Sequence, residues 1–133
     1  MKRGEQVHIV TIQRLMSERR TRPTALLPLW QAAGFALGAA TAIMGKEAAM
    51  ACTVAVETSI SAHYNDQIRT LLSKGYDVTE GELASILKKH RDEEMEHHDT
   101  AIEHGAKQAP FFGALSAVIQ AGCAVAITIA RRI

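Results

Sequence analysis

Apolar positions recur every three to four residues along most of the chain. No run alternates with period two over a useful length, so strands are not expected. Residues 5 to about 20 read as an amphipathic helix. Ile9, Ile12, Leu15 and Met16 recur at helical spacing, and Arg14, Arg19 and Arg20 fall off that stripe. "TRPT" ends it, because Pro23 disfavours helix at Arg22. A second segment, 26–44, is nearly all apolar and carries Gly34-xxx-Gly38, a spacing that permits close helix contact. A third helix is expected from about Lys46 to about Ser73. "KGYDVTEGE" reads as a turn, and Thr79-x-x-Glu82 has capping-box spacing that predicts a fourth helix starting there and fading near Gly105. Pro110 can begin the last helix, 110–131, which is apolar until Arg131 and Arg132. The reading is an all-α, single-domain chain of five helices with no linker.

Segments 26–44 and 110–131 approach the roughly 20 apolar residues that a membrane span takes. Both are rich in Ala and Gly, so three readings stand. They are buried helices of a bundle, or a pair lying in a membrane interface, or, third, true spans. In the interfacial reading Lys46, Arg131 and Arg132 meet anionic headgroups.

Composition narrows the partners. The 133 residues carry a formal charge of +1, which gives no support for a nucleic-acid binder. Cys52 and Cys123 sit in apolar surroundings without CxxC spacing, so a disulfide framework is not expected and a reducing compartment is. There is no recognisable signal peptide; the helical pattern is already under way at the amino terminus.

The candidate chemistry lies in the carboxylates and histidines. Glu5-Gln6-Val7-His8 and Glu94-Met95-Glu96-His97 both have Glu-x-x-His spacing, which puts a carboxylate and an imidazole on one helix face. For this many Glu and His in this length, chance gives about 0.45 such pairs, so counting alone is weak evidence. Glu57 adds weight, because it follows a run of apolar and small residues, "ACTVAVE". A lone buried carboxylate costs several kcal/mol unless it is paired or metal-bound. It could still pair with an arginine or reach solvent. A ferritin-like bundle with two metal ions takes one Glu from each of two helices and a Glu-x-x-His from each of two others. Both pairs and one lone Glu are here. Glu18, Glu47 and Glu103 are poor candidates for the second lone Glu, since each shares a helix with residues already used. A further metal-bearing helix is expected before Met1. Asp92, Glu93 and Glu96 are expected to face water, off the Glu94/His97 face. His98 and His104 read as surface residues. His90, one turn before Glu94, can pack near the site. Tyr64 returns to the Glu57 face and, with His63, is a candidate hydrogen-bonding neighbour of the ligands or a plain core residue.

The stretches "RPTALLPLWQAAGFALGAATAIMGKEAAMACTVAVETSISAHYNDQIRTL", "RDEEMEHHD" and "IQAGCAVAI" resemble the demethoxyubiquinone hydroxylase family of ubiquinone biosynthesis, almost end to end. The resemblance implies a ferritin-like fold, a di-iron centre and a peripheral membrane protein. It would act at the matrix face of the mitochondrial inner membrane or the cytoplasmic face of a bacterial inner membrane. It implies O2-dependent hydroxylation of the demethoxyubiquinone ring. Glu5 and Glu94 would bridge the irons, and His8, His97 and Glu57 would cap them. Tyr64 and His63 match a pair beside the iron centre. The implied reductant is NADH, with the quinone as mediator; no Gly-rich nucleotide loop is visible, so a Rossmann-type site is not expected. An accessory lipid-binding protein and a homo-oligomer are further implied partners. The family's "DHAGE"-like motif, which carries the remaining glutamate, lies on a preceding helix that this sequence does not contain. This leaves a non-catalytic quinone- or lipid-binding helical protein as the alternative. An iron-storage relative fits less well, because a soluble cage subunit has no need of the two apolar helices.

Overall fold

The structure, a computed structural model, describes residues 1–76 and 81–133. Thr79 and its capping box lie outside the described residues. Five α-helices follow in order: α1 (Lys2–Glu18), α2 (Leu27–Met44), α3 (Lys46–Ser73), α4 (Gly81–Glu103) and α5 (Phe112–Ala130), with a short 3-10 turn at Ala106–Gln108 before α5. No strand occurs among the described residues, and the fold is an all-α helical bundle. Three boundaries differ from expectation. Helix α1 starts at Lys2, three residues earlier than the apolar stripe indicates. It stops at Glu18, with Arg20 at φ 52 just beyond. Helix α5 starts at Phe112, because Phe111 takes a left-handed φ of 55 and the helix begins only after it.

The long α3 is the axis. Its Ala48, Ala51, Cys52, Val54, Ala55, Glu57 and Ser61 are all buried, which is why this stretch contains only small or apolar side chains around Glu57. Contacts along it fix the directions of its neighbours. Arg91 reaches Asn65 while Ala101 packs with Val54, so α4 runs antiparallel to α3. Ile119 packs on Cys52 and Ala55, and Arg131 reaches His63, so α5 runs parallel to α3. Helix α2 returns antiparallel after a one-residue turn at Gly45. Its φ of 122 is open to glycine and strained for any other residue. Gly105, at φ 96, ends α4 in the same left-handed way that Gly commonly ends helices.

Helices α2 and α5 are not buried. Thr41 is the one buried residue of α2, and Ser116 and Ile119 are those of α5. Phe35, Ile43 and Phe111 are each at least 80% exposed. Within this chain the two segments are not buried helices: each offers one narrow stripe to α3 and turns the rest of its apolar surface outward. Both are long and apolar enough to cross a membrane. Gly34 and Gly38 face open space, so the GxxxG spacing serves no close contact within this chain. The basic residues do not form one patch. Arg131 lies beside His63, seventeen residues along α3 from Lys46, or ~25 Å at 1.5 Å per residue.

Candidate metal centre

Helices α1, α3 and α4 meet around the Glu-x-x-His residues. The inward stripe of α4 is Ala84, Leu87, His90, Glu94, His97 and Ala101, at steps of three and four. On α1 the inward positions include His8 and Leu15, and Ile9 is 57% exposed. Ile9 was expected on the buried stripe. It lies about 100° round the helix from His8, and the polar residue takes the inner face. Helix α1 therefore reaches α4 largely through polar side chains.

Glu94 is the centre of the arrangement and is buried. Its Oε1 lies 2.8 Å from Nδ1 of His8, and its Oε2 lies 3.3 Å from Nδ1 of His97. Nδ1 of His97 is also 3.0 Å from Oε1 of Glu5. Glu57 projects from α3 to within hydrogen-bonding reach of Glu94. Burial first, then this hydrogen bond and the charges of Glu94 and Glu5, push the Glu57 carboxyl up to about 9. Ligand atoms of Glu5, Glu57, Glu94 and His97 all lie within 4.8 Å of one another, and Glu57, Glu94 and His97 are buried. Among the described residues no lysine or arginine pairs with Glu5, Glu57 or Glu94. The arginine-paired and solvent-reaching readings of Glu57 are excluded. Buried carboxylates that lack a cation of their own, interleaved with imidazoles, are a donor set that fits a divalent iron ion.

Two residues near the cluster were misplaced or undervalued by the sequence reading. Glu93, expected to face water, has its Oε2 2.6 Å from Nε2 of His8, and that bond holds its carboxyl below the usual range. His90 is buried and stacks on the His8 ring, with centroids 4.0 Å apart and planes at 27°. Asp92 and Glu96 do face outward, as expected. Gly4 gave no signal in the sequence. A Cβ there would come 3.3 Å from Cε1 and Nε2 of His97, so α1 approaches the ligand ring closely at a residue with no side chain. Gly4→Ala is expected to push the buried His97 ring off its position and weaken metal binding about 10-fold with little loss of helix content. Metal titration alongside circular dichroism checks this.

Tyr64 meets His90 edge-on, with centroids 6.0 Å apart. Burial, then the surrounding carboxylates, push its phenol up to about 12. His63 is turned away from the cluster, toward Gln67 and Arg131, each 3.3 Å away. Burial and the neighbouring Arg131 hold its imidazole below the ordinary range. Both residues line a cleft of about 740 Å³, whose walls include Ile12, Leu15, Ile60 and Leu87. That volume suits a small-molecule site. Tyr64 stands between the cleft and His90, and His90 stands against His8.

A family profile described as "Ubiquinone biosynthesis protein COQ7" matches residues 1–130. The chain belongs to the COQ7 family. It is 55% identical over 129 residues to a Bos taurus protein named NADPH-dependent 3-demethoxyubiquinone 3-hydroxylase, mitochondrial, covering 97% of this chain and 59% of that relative. It is 48% identical to the 3-demethoxyubiquinol 3-hydroxylase of Rhodospirillum rubrum, with 97% and 58% covered. It is 44% identical to the 5-demethoxyubiquinone hydroxylase, mitochondrial, of Saccharomyces cerevisiae, with 95% and 58% covered. The chain thus spans under three-fifths of the length of these COQ7 relatives. The mammalian names specify NADPH, whereas the resemblance implied NADH.

Proposed function

We propose that this chain carries the metal centre and substrate cleft of a di-iron hydroxylase acting on the demethoxyubiquinone ring in ubiquinone biosynthesis. The observation that carries this reading is Glu94, which turns one carboxylate oxygen toward each of two histidines on different helices. Glu5, Glu57, Glu94 and His97, with His8 against the other oxygen of Glu94, would hold the irons. When bound, the iron pair supplies the activation of O2. The protein's share is positioning and exclusion. The apolar cleft holds the quinone ring away from water, and Tyr64 sits at the boundary between ring and metal centre. His63 and Arg131 stand at the rim of the cleft, where a polar edge of the quinone meets them. A reduced nicotinamide would serve as the electron donor, a reading supported by the words "NADPH-dependent" in the mammalian relatives' names.

The test is anaerobic Fe(II) loading of the whole protein, followed by short-tailed demethoxyubiquinone, reduced nicotinamide and isotopically labelled O2. One labelled oxygen is expected in the quinone product. A protein that takes up no iron and leaves the quinone unchanged refutes the reading.

The outward apolar surfaces of α2 and α5 would lie in the membrane interface, where the long-tailed substrate is found. Charges at both ends of this pair suit helices lying flat better than a single basic patch would. Serine at Phe35, Ile43 or Phe111 is expected to weaken binding to anionic phosphatidylglycerol vesicles. Each loses about 1.5–3 kcal/mol of buried apolar surface, or about 10–100-fold. Vesicle sedimentation measures it. Unchanged partitioning of the triple variant would exclude this surface as the anchor.

A further inference from the structure

His8 is held on three sides, and its metal-binding role uses only one of them. Its Nδ1 edge faces Glu94 at 2.8 Å. Its opposite edge, Nε2, faces Oε2 of Glu93 at 2.6 Å, and the other oxygen of Glu93 lies 3.8 Å from Lys89, one turn back. The ring face is covered by His90, which Tyr64 backs in turn. His97 is held differently: its Nε2 lies close to Gly4, 3.3 Å from where a Cβ would stand, and among the described residues no side chain hydrogen-bonds to that nitrogen.

A neutral imidazole carries one proton and one lone pair, and an unrestrained ring can present either nitrogen in either tautomer. We propose that Glu93 and His90 are positioning residues for His8. Glu93 accepts the hydrogen bond from Nε2–H, His90 fixes the plane of the ring, and together they leave the Nδ1 lone pair aimed at the ion beside Glu94. The proposal rests on the metal-centre reading above. Its physical basis is the short N–H to carboxylate bond, about twice as strong as a neutral one. Such an outer carboxylate fixes the tautomer and makes the ligating nitrogen a better donor. The asymmetry is specific: the ion on the His8 side depends on Glu93, and the ion on the His97 side does not.

The whole protein is titrated anaerobically with Co(II). It is followed by visible absorption and by the paramagnetically shifted proton spectrum, in which the ring N–H of a metal-bound histidine appears as an exchangeable signal. Wild type is expected to bind two ions and to show a slowly exchanging N–H from His8. Glu93→Leu should weaken one of the two ions 10–100-fold, expose that N–H to rapid solvent exchange, and leave the visible spectrum at saturation unchanged. Glu93→Gln keeps an acceptor oxygen and should recover much of the protection. His90→Phe keeps the stacked face and should behave as wild type, whereas His90→Ala should not. Helix content by circular dichroism confirms that each variant is folded. The proposal is overturned if Glu93→Leu binds both ions as wild type does with the N–H still protected. It is also overturned if Glu93→Leu or His90→Phe changes the saturated visible spectrum, because the residue is then itself a ligand. A wild-type protein that binds no Co(II) sinks the metal-centre reading instead, and this inference with it.

Discussion

Glu94→Ala is expected to leave the protein without either bound metal ion, while Glu96→Ala, two residues away, binds as wild type does. Glu94 offers one oxygen to each histidine, so its loss removes a donor from both positions at once. Loss of a mere supporting partner costs a metal site 10–100-fold, and loss of a shared ligand should exceed that at both sites. The substitution also acts on the metal-free fold. His8 and His97 each lose a buried hydrogen-bond partner, although Glu93 still faces His8 and Glu5 still faces His97, and such a loss costs about 1–3 kcal/mol. Part of this is offset, because Glu57 no longer shares its pocket with a second carboxylate. A net loss of about 1–3 kcal/mol is therefore expected. Glu96 is exposed and belongs to no cluster, so neither effect applies. Iron content by metal analysis and chemical denaturation of the metal-free protein check the pair. Wild-type iron in Glu94→Ala would show that the metal is held elsewhere.

Sequence spacing identified the bundle and most of the candidate cluster because both follow from helical period. Glu5 and His8, and Glu94 and His97, are three apart; Glu5, Glu94 and His97 gather with Glu57, and His8 meets that group through Glu94 at 2.8 Å. The burial of Glu57 followed from its apolar run, because only a helix covered on nearly every side has no polar positions to give. The errors share a cause. A single stripe describes a helix with one neighbour, whereas α4 touches α1 as well as α3. Its contact face is therefore wider than the stripe, and Glu93, about 100° from Glu94, falls within reach of α1. Ile9 was misplaced by the converse. On α1 the inward face includes the candidate ligand His8, so at Ile9 apolarity points the wrong way. Helices α2 and α5 carry no such internal signal. An apolar helix surface reads the same whether protein or lipid covers it, and only the placement against α3 separates the two.

The docking of α1 follows from the same geometry. Its ties to the bundle include His8 with Glu93 and Glu94, His97 with Glu5, and Arg14 with Glu82. The last pair is exposed and contributes little. The polar ties at the candidate centre therefore carry much of the load, and an ion bound there would replace several of them with stronger bonds. On the proposed reading, metal binding and the seating of α1 would be one equilibrium, with the stabilisation appearing as the ion's binding energy.

Glu57 makes that equilibrium depend on pH in opposite senses with and without metal. Its folded-state carboxyl is pushed up to about 9 from an ordinary 4.5. Between those values the folded, metal-free protein holds a proton at Glu57 that the unfolded chain has released. The folded state binds more protons, so stability falls as pH rises through this window, by on the order of 1 kcal/mol per pH unit from this group alone. The contribution is fully present below about 4.5 and gone above about 9. A metal ion bound to Glu57 must displace the same proton. Apparent affinity should therefore rise with pH up to about 9, with proton release on binding. Glu57→Gln keeps the shape and the hydrogen bond to Glu94 without a titrating group. It should flatten the pH dependence of metal-free stability, make that form more stable than wild type near pH 8, and lose the metal. Denaturation of the metal-free protein across pH, with calorimetric metal titration in buffers of different ionisation enthalpy, measures both. A wild-type stability that climbs with pH through this window, unchanged in Glu57→Gln, would mean that Glu57 is ionised in the folded chain and that another group holds the centre's proton.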